Sequence, residues 1–340
     1  MNNRLSVRDR KKRPVLFAIV LVILLAILSG LSLFLGSTDI SWQTVLQALF
    51  DPDLTNHQQI AILELRLPRT IGDILCGACF AASGALMQGM TRNPLADSGL
   101  LGINSGASFA LAICLAVMPS VTFGVTILFS FAGAAVSTIL LYGILYISRR
   151  KIDPVRLVLA GSAISILFSS LAQGLALTAG VGQEVTFWTA GGTAGIRMSQ
   201  LPWAAPVMLA ALAGAIALAP ACSLLALGQE SARGLGLNVE RSMVLILTDV
   251  LFLAGSATAL AGPIAFAGLL VPHFVRYFIG GNYRLIIPFS MLAGAVFMVG
   301  ADIIARMINA PAETPVGLIF AVIGVPAFIW IVRKGGSEFE

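Results

Sequence analysis

Apolar residues fill this chain in blocks far longer than any helix of a soluble domain presents to a core. A single membrane-crossing helix needs about 20 consecutive apolar residues. The run Ser98–Ser148 holds 51 residues without one Asp, Glu, Lys or Arg, enough for two crossings with a turn near Pro119-Ser120. Breaks at charges, glycines and prolines give ten expected spans: 15–36, 70–90, 100–118, 121–147, 155–179, 203–225, 243–261, 264–279, 286–305 and 315–332. The seventh and eighth are separated only by Gly262-Pro263, so nine is the competing count. Stretches such as Val15–Leu28 are apolar on every side, whereas barrel strands alternate. A helix also satisfies its own backbone groups in lipid. The expected fold class is therefore all-α, a polytopic membrane protein of about ten transmembrane helices.

Charge orients these spans. Arg4, Arg8, Arg10, Lys11, Lys12 and Arg13 crowd the first 14 residues, ahead of an apolar run too long for a signal-peptide core. Positive residues favour the cytoplasmic side. Ten spans with the N-terminus inside put 17 of the 21 Lys and Arg there, leaving Arg66, Arg69, Arg197 and Arg306 outside. Nine spans would move Arg333 and Lys334 outside, which fits less well. The expected organisation is a basic cytoplasmic segment (1–14), one transmembrane domain (15–335) and a cytoplasmic tail (336–340). Both termini then face the cytoplasm of a bacterial inner membrane. Two loops stand out. The outer one, 37–69, is expected to be an amphipathic segment lying at the membrane interface. The inner one, about 225–242, is rich in glycine and suits two short helices around a sharp turn, a shape able to meet a partner.

Composition closes other classes. The chain is 58% hydrophobic and 11% charged, with a mean hydropathy of +0.93. Soluble domains carry about 25% charged residues. Disorder and collagen-like repeats are excluded. The net charge of +5 sits largely in the N-terminal cluster, so it speaks for membrane lipid and not for nucleic acid. Cys76, Cys79, Cys114 and Cys222 all lie in apolar runs and are expected to act as small hydrophobes.

Candidate chemistry is sparse. No G-x-x-x-x-G-K-[ST] loop is present, so ATP is not hydrolysed here by that route. His57 and His273 are far apart, and no H-E-x-x-H, G-x-S-x-G or metal-binding cysteine pair occurs. Intramembrane acids are Asp73, Asp249 and Asp302, of which Asp302 can pair with Arg306 one turn on. They form no series of acids and histidines, as a proton-coupled carrier would need. Arg66, Arg69 and Arg306 lie on a face normally depleted of cations. They are either snorkelling anchors or a docking site for an acidic partner. Gly102 and Gly106 form a G-x-x-x-G that permits close helix approach. Helix interruptions at Asn93-Pro94-Leu95 and Gly262-Pro263 suit a translocation path.

The chain resembles the membrane permease family of ABC importers for iron-siderophores, haem and vitamin B12 (FecCD-type, BtuC-like). The resemblance rests on Arg66-Leu-Pro-Arg69, Ser83-Gly-Ala-Leu-Met-Gln88, Arg92-Asn-Pro-Leu-Ala96, Leu159-Ala-Gly161, Leu225-Ala-Leu-Gly228, Ala261-Gly-Pro-Ile264, Gly268-Leu-Leu-Val-Pro-His273, Asp302 with Arg306, Glu313-Thr-Pro-Val-Gly317 and Gly324-Val-Pro-Ala-Phe328. These run in order along almost the whole chain. The resemblance implies ten helices, a second permease subunit (identical or related), two cytoplasmic ATPase subunits that use ATP and Mg, and an extracytoplasmic binding protein. It implies no cofactor or metal on this chain and no catalytic residue. By the same token Arg66, Arg69 and Arg306 receive acidic residues of the binding protein. Leu227, Gly228, Glu230, Ala232, Arg233, Gly234 and Gly236 couple to the ATPase. Asn93, Pro94, Leu95, Gly262 and Pro263 are expected at the cytoplasmic gate and path. The expected cargo is a ferric siderophore, with haem or vitamin B12 as alternatives and an ion-coupled secondary carrier as the competing class. Asp153-Pro154-Val155 replaces the small hydroxyl residues that vitamin B12 permeases carry at that point, which counts against B12.

Overall fold

A computed structural model describes residues 7–36, 40–53, 55–118, 120–147, 154–310 and 312–335. The expected tail 336–340, the turn residue Pro119 and the Asp153 position lie outside the described residues. All regular structure among the described residues is helical.

Helix α1 spans Val7–Phe34. The outer loop then folds into α2 (Trp42–Phe50) and α3 (His57–Ala61), and a π-helical turn, Ile62–Arg66, leads into α4 (Leu67–Thr91). A 3-10 turn, Ser98–Leu101, precedes α5 (Ile103–Val117) and α6 (Phe123–Ile147). Next come α7 (Pro154–Ala179), the short α8 (Gly182–Thr189) and α9 (Leu201–Leu225). The inner loop forms α10 (Gln229–Gly234), followed by α11 (Val239–Ala261), α12 (Ala267–Ile279), α13 (Tyr283–Ile308) and α14 (Val316–Gly335).

Among the described residues, seven helical stretches are long and apolar enough to cross a membrane. The remaining expected spans, the third, eighth and tenth, coincide with shorter apolar helices at Ile103–Val117, Ala267–Ile279 and Val316–Ile329. Two elements were not foreseen: α8, and the continuation of α4 backward through the π turn to His57.

Helix α4 is the axis of the bundle. It packs against α9, α11, α12 and α13, and nearly every residue from Pro68 to Thr91 is buried. Its sequence explains that position, because Gly, Ala, Ser and Cys line it. Lipid tails supply no hydrophobic drive between helices, so close backbone approach and dispersion hold such bundles. At Gly77 against Gly294, and at Gly84 against Gly268, the backbones approach so closely that a Cβ would overlap the opposing carbonyl. Gly106, of the G-x-x-x-G, meets Gly133 of α6 in the same way.

The perimeter is apolar for the opposite reason. Val15, Leu16, Ile19, Val20 and Ile23 of α1 are exposed, as are Ile139 of α6, Ile166 of α7 and Trp203 of α9. A membrane supplies the missing cover. In α2, Val45 and Ala48 pack inward with Ile40 and Ile62, while Trp42, Leu46, Leu49 and Phe50 form an exposed apolar stripe. The outer loop thus has the amphipathic character expected of it.

Candidate functional site

Two ends of the bundle carry the polar chemistry. Asp302 is the hub of the first. It sits mid-turn on α13 with no exposed surface. Arg69, in the first turn of α4, donates Nε and Nη2 to Asp302 Oδ1 at 2.9 and 2.8 Å, and Nη1 to Glu313 Oε1 at 2.8 Å. Arg306, one turn beyond Asp302, brings Nη2 to 2.9 Å from Oδ2. That approach is an ion-pair contact rather than an aligned hydrogen bond. Arg306 also donates to the carbonyls of Ser32 and Leu35 at 3.1 and 3.2 Å, and to Ser32 Oγ. Thr193, between α8 and α9, donates to Asp73 Oδ1 at 2.6 Å and stands 3.4 Å from Asp302 Oδ1. Ser32 Oγ and Thr70 Oγ1 are 2.8 Å apart, and Arg66 Nη1 reaches the carbonyls of Leu33 and Phe34 at 2.9 and 2.7 Å. The network therefore ties the end of α1, the start of α4, the end of α13, the loop before α14 and the 190–195 segment.

The three arginines expected as docking cations are present here together, but not as bare surface charges. Arg66, Arg69 and Arg306 are 8%, 7% and 7% exposed. The reason is electrostatic. A buried charge needs a partner, and Asp302, Glu313 and the α1 carbonyls supply one. Glu313 alone has a half-exposed side chain. Its pair with Arg69 is correspondingly water-screened, so Glu313→Gln should cost less than about 1 kcal/mol. A melting midpoint within a few degrees of the parent protein checks this.

A cavity of about 530 Å³ opens beside this network, lined by Arg69, Thr193, Glu313, Trp188, Phe123 and Ala261. Thr193, Trp188 and Phe123 were not singled out in the sequence, where nothing marks them. A larger cavity of about 1100 Å³ lies between α1, α12, α13 and α14. Its lining, including Phe17, Phe274, Phe297 and Phe320, offers almost no polar group to orient a cargo. The smaller cavity is the chemically meaningful one.

Gly262 and Pro263 lie at this first end, away from Asn93–Leu95. The backbone N–H of Gly192 donates to the carbonyl of Ala261 at 2.7 Å, and a Cβ on Gly262 would overlap the carbonyl of Trp188. The helix break at 262–266 is thereby stitched to α8.

The second end collects Asn93, Pro94, Leu95 and the α10 region. Asn93 Oδ1 accepts the N–H of Leu95 at 2.9 Å, and the N–H of Ala96 reaches the Asn93 carbonyl at 3.1 Å, so the segment is a tight turn. Beyond it, Asp97 accepts the N–H of Ser98, and Ser98 Oγ meets Ser83 Oγ at 3.0 Å. Burial pushes the Asp97 carboxyl up to about 6, with the N–H groups of Ser98 and Gly99 holding it back. Around α10, Ala232 is buried, Leu227 and Leu235 are both 62% exposed, and Glu230, Gly234 and Gly236 face outward. Arg233 is paired with Glu240 of α11. Gly228, with φ 108°, turns the chain into α10. Asp249 stands apart from both ends, its carboxylate wedged over Gly214 of α9, and so does not join Asp73 and Asp302 in a relay.

Comparison with known proteins matches the FecCD transport family model over residues 22–334. The iron(3+)-hydroxamate import system permease protein FhuB of Bacillus subtilis (strain 168) is 42% identical over 92% of this chain and 81% of its own length. The Fe(3+)-citrate import system permease protein YfmD of the same organism is 40% identical over 96% and 97%. The ferric enterobactin permease FepD of Escherichia coli (strain K12) is 38% identical over 92% and 94%. Among solved structures, a metal-chelate type ABC transporter in an inward-facing conformation superposes with a TM-score of 0.82 at 27% identity, covering 94% of this chain and 99% of that one.

Proposed function

Because the chain belongs to the FecCD transport family, we propose that it is the membrane permease of an ABC importer that takes a ferric siderophore from an extracytoplasmic binding protein and passes it inward by alternating access. ATP hydrolysis belongs to separate subunits. The observation that carries the cargo assignment is the family match along nearly the whole chain, joined to relatives whose names specify iron with hydroxamate, citrate and enterobactin. The three chelate chemistries differ, so the shared feature is chelated iron(III).

In this reading the N-terminus faces the cytoplasm, as the distribution of Lys and Arg supports. The end bearing Asp302 is then external. A binding protein docks there, and its carboxylates are received by Arg66, Arg69 and Arg306. Because Arg69 already holds Glu313, an incoming carboxylate has to displace that half-exposed partner. Such contacts set approach and register more than affinity. At the cytoplasmic end, α10 sits against one of two ATPase subunits, with Leu227 and Leu235 as apolar anchors and Glu230 and Arg233 at the rim. A second permease subunit completes the path.

Uptake of radioactive ferric siderophores by cells with and without the gene tests the cargo. Loss of uptake for one of the hydroxamate, catecholate or citrate classes is expected. Normal uptake of all three, with haem or cobalamin uptake lost, would move the assignment to those cargoes. The ATPase surface has its own test. Leu227→Asp with Leu235→Asp places charge on an already exposed patch, so the bundle should stay folded while co-purified ATPase falls at least about tenfold. Undiminished co-purification would reject α10 as the contact.

A further inference from the structure

Helix α4 ends on an arginine where the backbone calls for glycine. Arg92 is the C-cap residue, in the left-handed conformation at φ 53° and ψ 29°. Only one other non-glycine residue among the described residues, Phe266, has a positive φ. A side chain there is strained, and glycine would avoid the strain. Strain of this kind persists where a function needs the side chain.

The guanidinium indicates that function. Arg92 Nη1 lies over Gly228, so close that a Cβ on Gly228 would stand 3.3 Å away. Gly228 is the N-cap of α10, buried and itself at φ 108°. On its other side Arg92 is bonded directly to Asn93, the first residue of the turn closed by the Leu95 N–H. One residue thus touches α10 through its side chain and the Asn93–Leu95 turn through its backbone.

We propose that Arg92 is a positioning residue that transmits displacement of α10 to the Asn93–Leu95 turn, so that movement of the ATPase is felt at the cytoplasmic mouth of the path. A shift of α10 carries Gly228 against the guanidinium, and the strained cap turns the peptide that begins Asn93. The proposal rests on α10 being the ATPase contact.

The test uses the complete complex of permease, ATPase and binding protein in proteoliposomes, with Arg92→Gly and Arg92→Lys. Arg92→Gly retains the left-handed cap and relieves its strain, so the chain should fold and assemble with the ATPase at the parent yield. Cargo moved per ATP hydrolysed should nevertheless fall about tenfold. Arg92→Lys keeps length and charge and should recover part of that ratio. An unchanged ratio in Arg92→Gly overturns the proposal. Loss of ATPase assembly in Arg92→Gly also overturns it, since Arg92 would then serve docking. Failure of the underlying reading shows separately, as a parent complex that neither binds an ATPase at α10 nor moves cargo with ATP.

Discussion

Asp302→Ala should cost the folded chain about 3–5 kcal/mol, the range for removing one member of a buried ion pair. The carboxylate is fully buried and meets two guanidinium groups, Arg69 at 2.8 Å and Arg306 at 2.9 Å. Alanine leaves both cations inside the bundle. Glu313 still holds Arg69, and the α1 carbonyls still hold Arg306, but neither neutralises the excess positive charge alone. The loss should appear as a large drop in the melting midpoint of the detergent-solubilised protein and in the yield of monodisperse material. Asp302→Asn, which keeps the shape, should fall between the parent and alanine. A midpoint for Asp302→Ala equal to that of Glu313→Gln would show that the network does not hold this end together.

The second large effect is expected at the α4–α12 crossing. Gly84→Ala forces a methyl into the space occupied by the Gly268 carbonyl, which is backbone and cannot swing aside. The two helices must separate, and overpacking of this kind costs about 1–3 kcal/mol. Asp97 Oδ1 lies close by, against the Cα of Gly268, so separation also disturbs the turn after Asn93. Gly174→Ala is the matched control: a Cβ there meets nothing within 4 Å. The thermal midpoint should fall for Gly84→Ala and hold or rise for Gly174→Ala. Equal behaviour of the two would mean that the crossing has slack.

Both predictions turn on features that differ in how plainly the chain announces them. Span positions are legible because apolar length is a local property, and even the short helices α5 and α12 fall where apolar runs were marked. The i,i+4 pair of Asp302 and Arg306 is legible for the same reason. The partner of Arg69 is not. It lies 233 residues away, and only tertiary packing decides whether a guanidinium faces water or a carboxylate. Thr193 carries no signal at all until the fold sets it between Asp73 and Asp302. A breaker dipeptide such as Gly262-Pro263 reports that a helix stops, and only the count of spans before it assigns a membrane face. The placement of α10 beside the Asn93 turn likewise required Arg92 and Gly228 to be seen together.

Helix α12 has 13 residues, which is about 20 Å of rise. The hydrocarbon layer is about 30 Å thick. An irregular stretch from Gly262 to Phe266 precedes the helix, tied to α11 by the Gly262 N–H and to α12 by the Phe266 carbonyl. That stretch lies beside α8, where Gly192 lends its N–H to Ala261. A small ion or water molecule that leaks through the resting transporter should do so there, and conductance of the empty protein in a planar bilayer would locate the weak point.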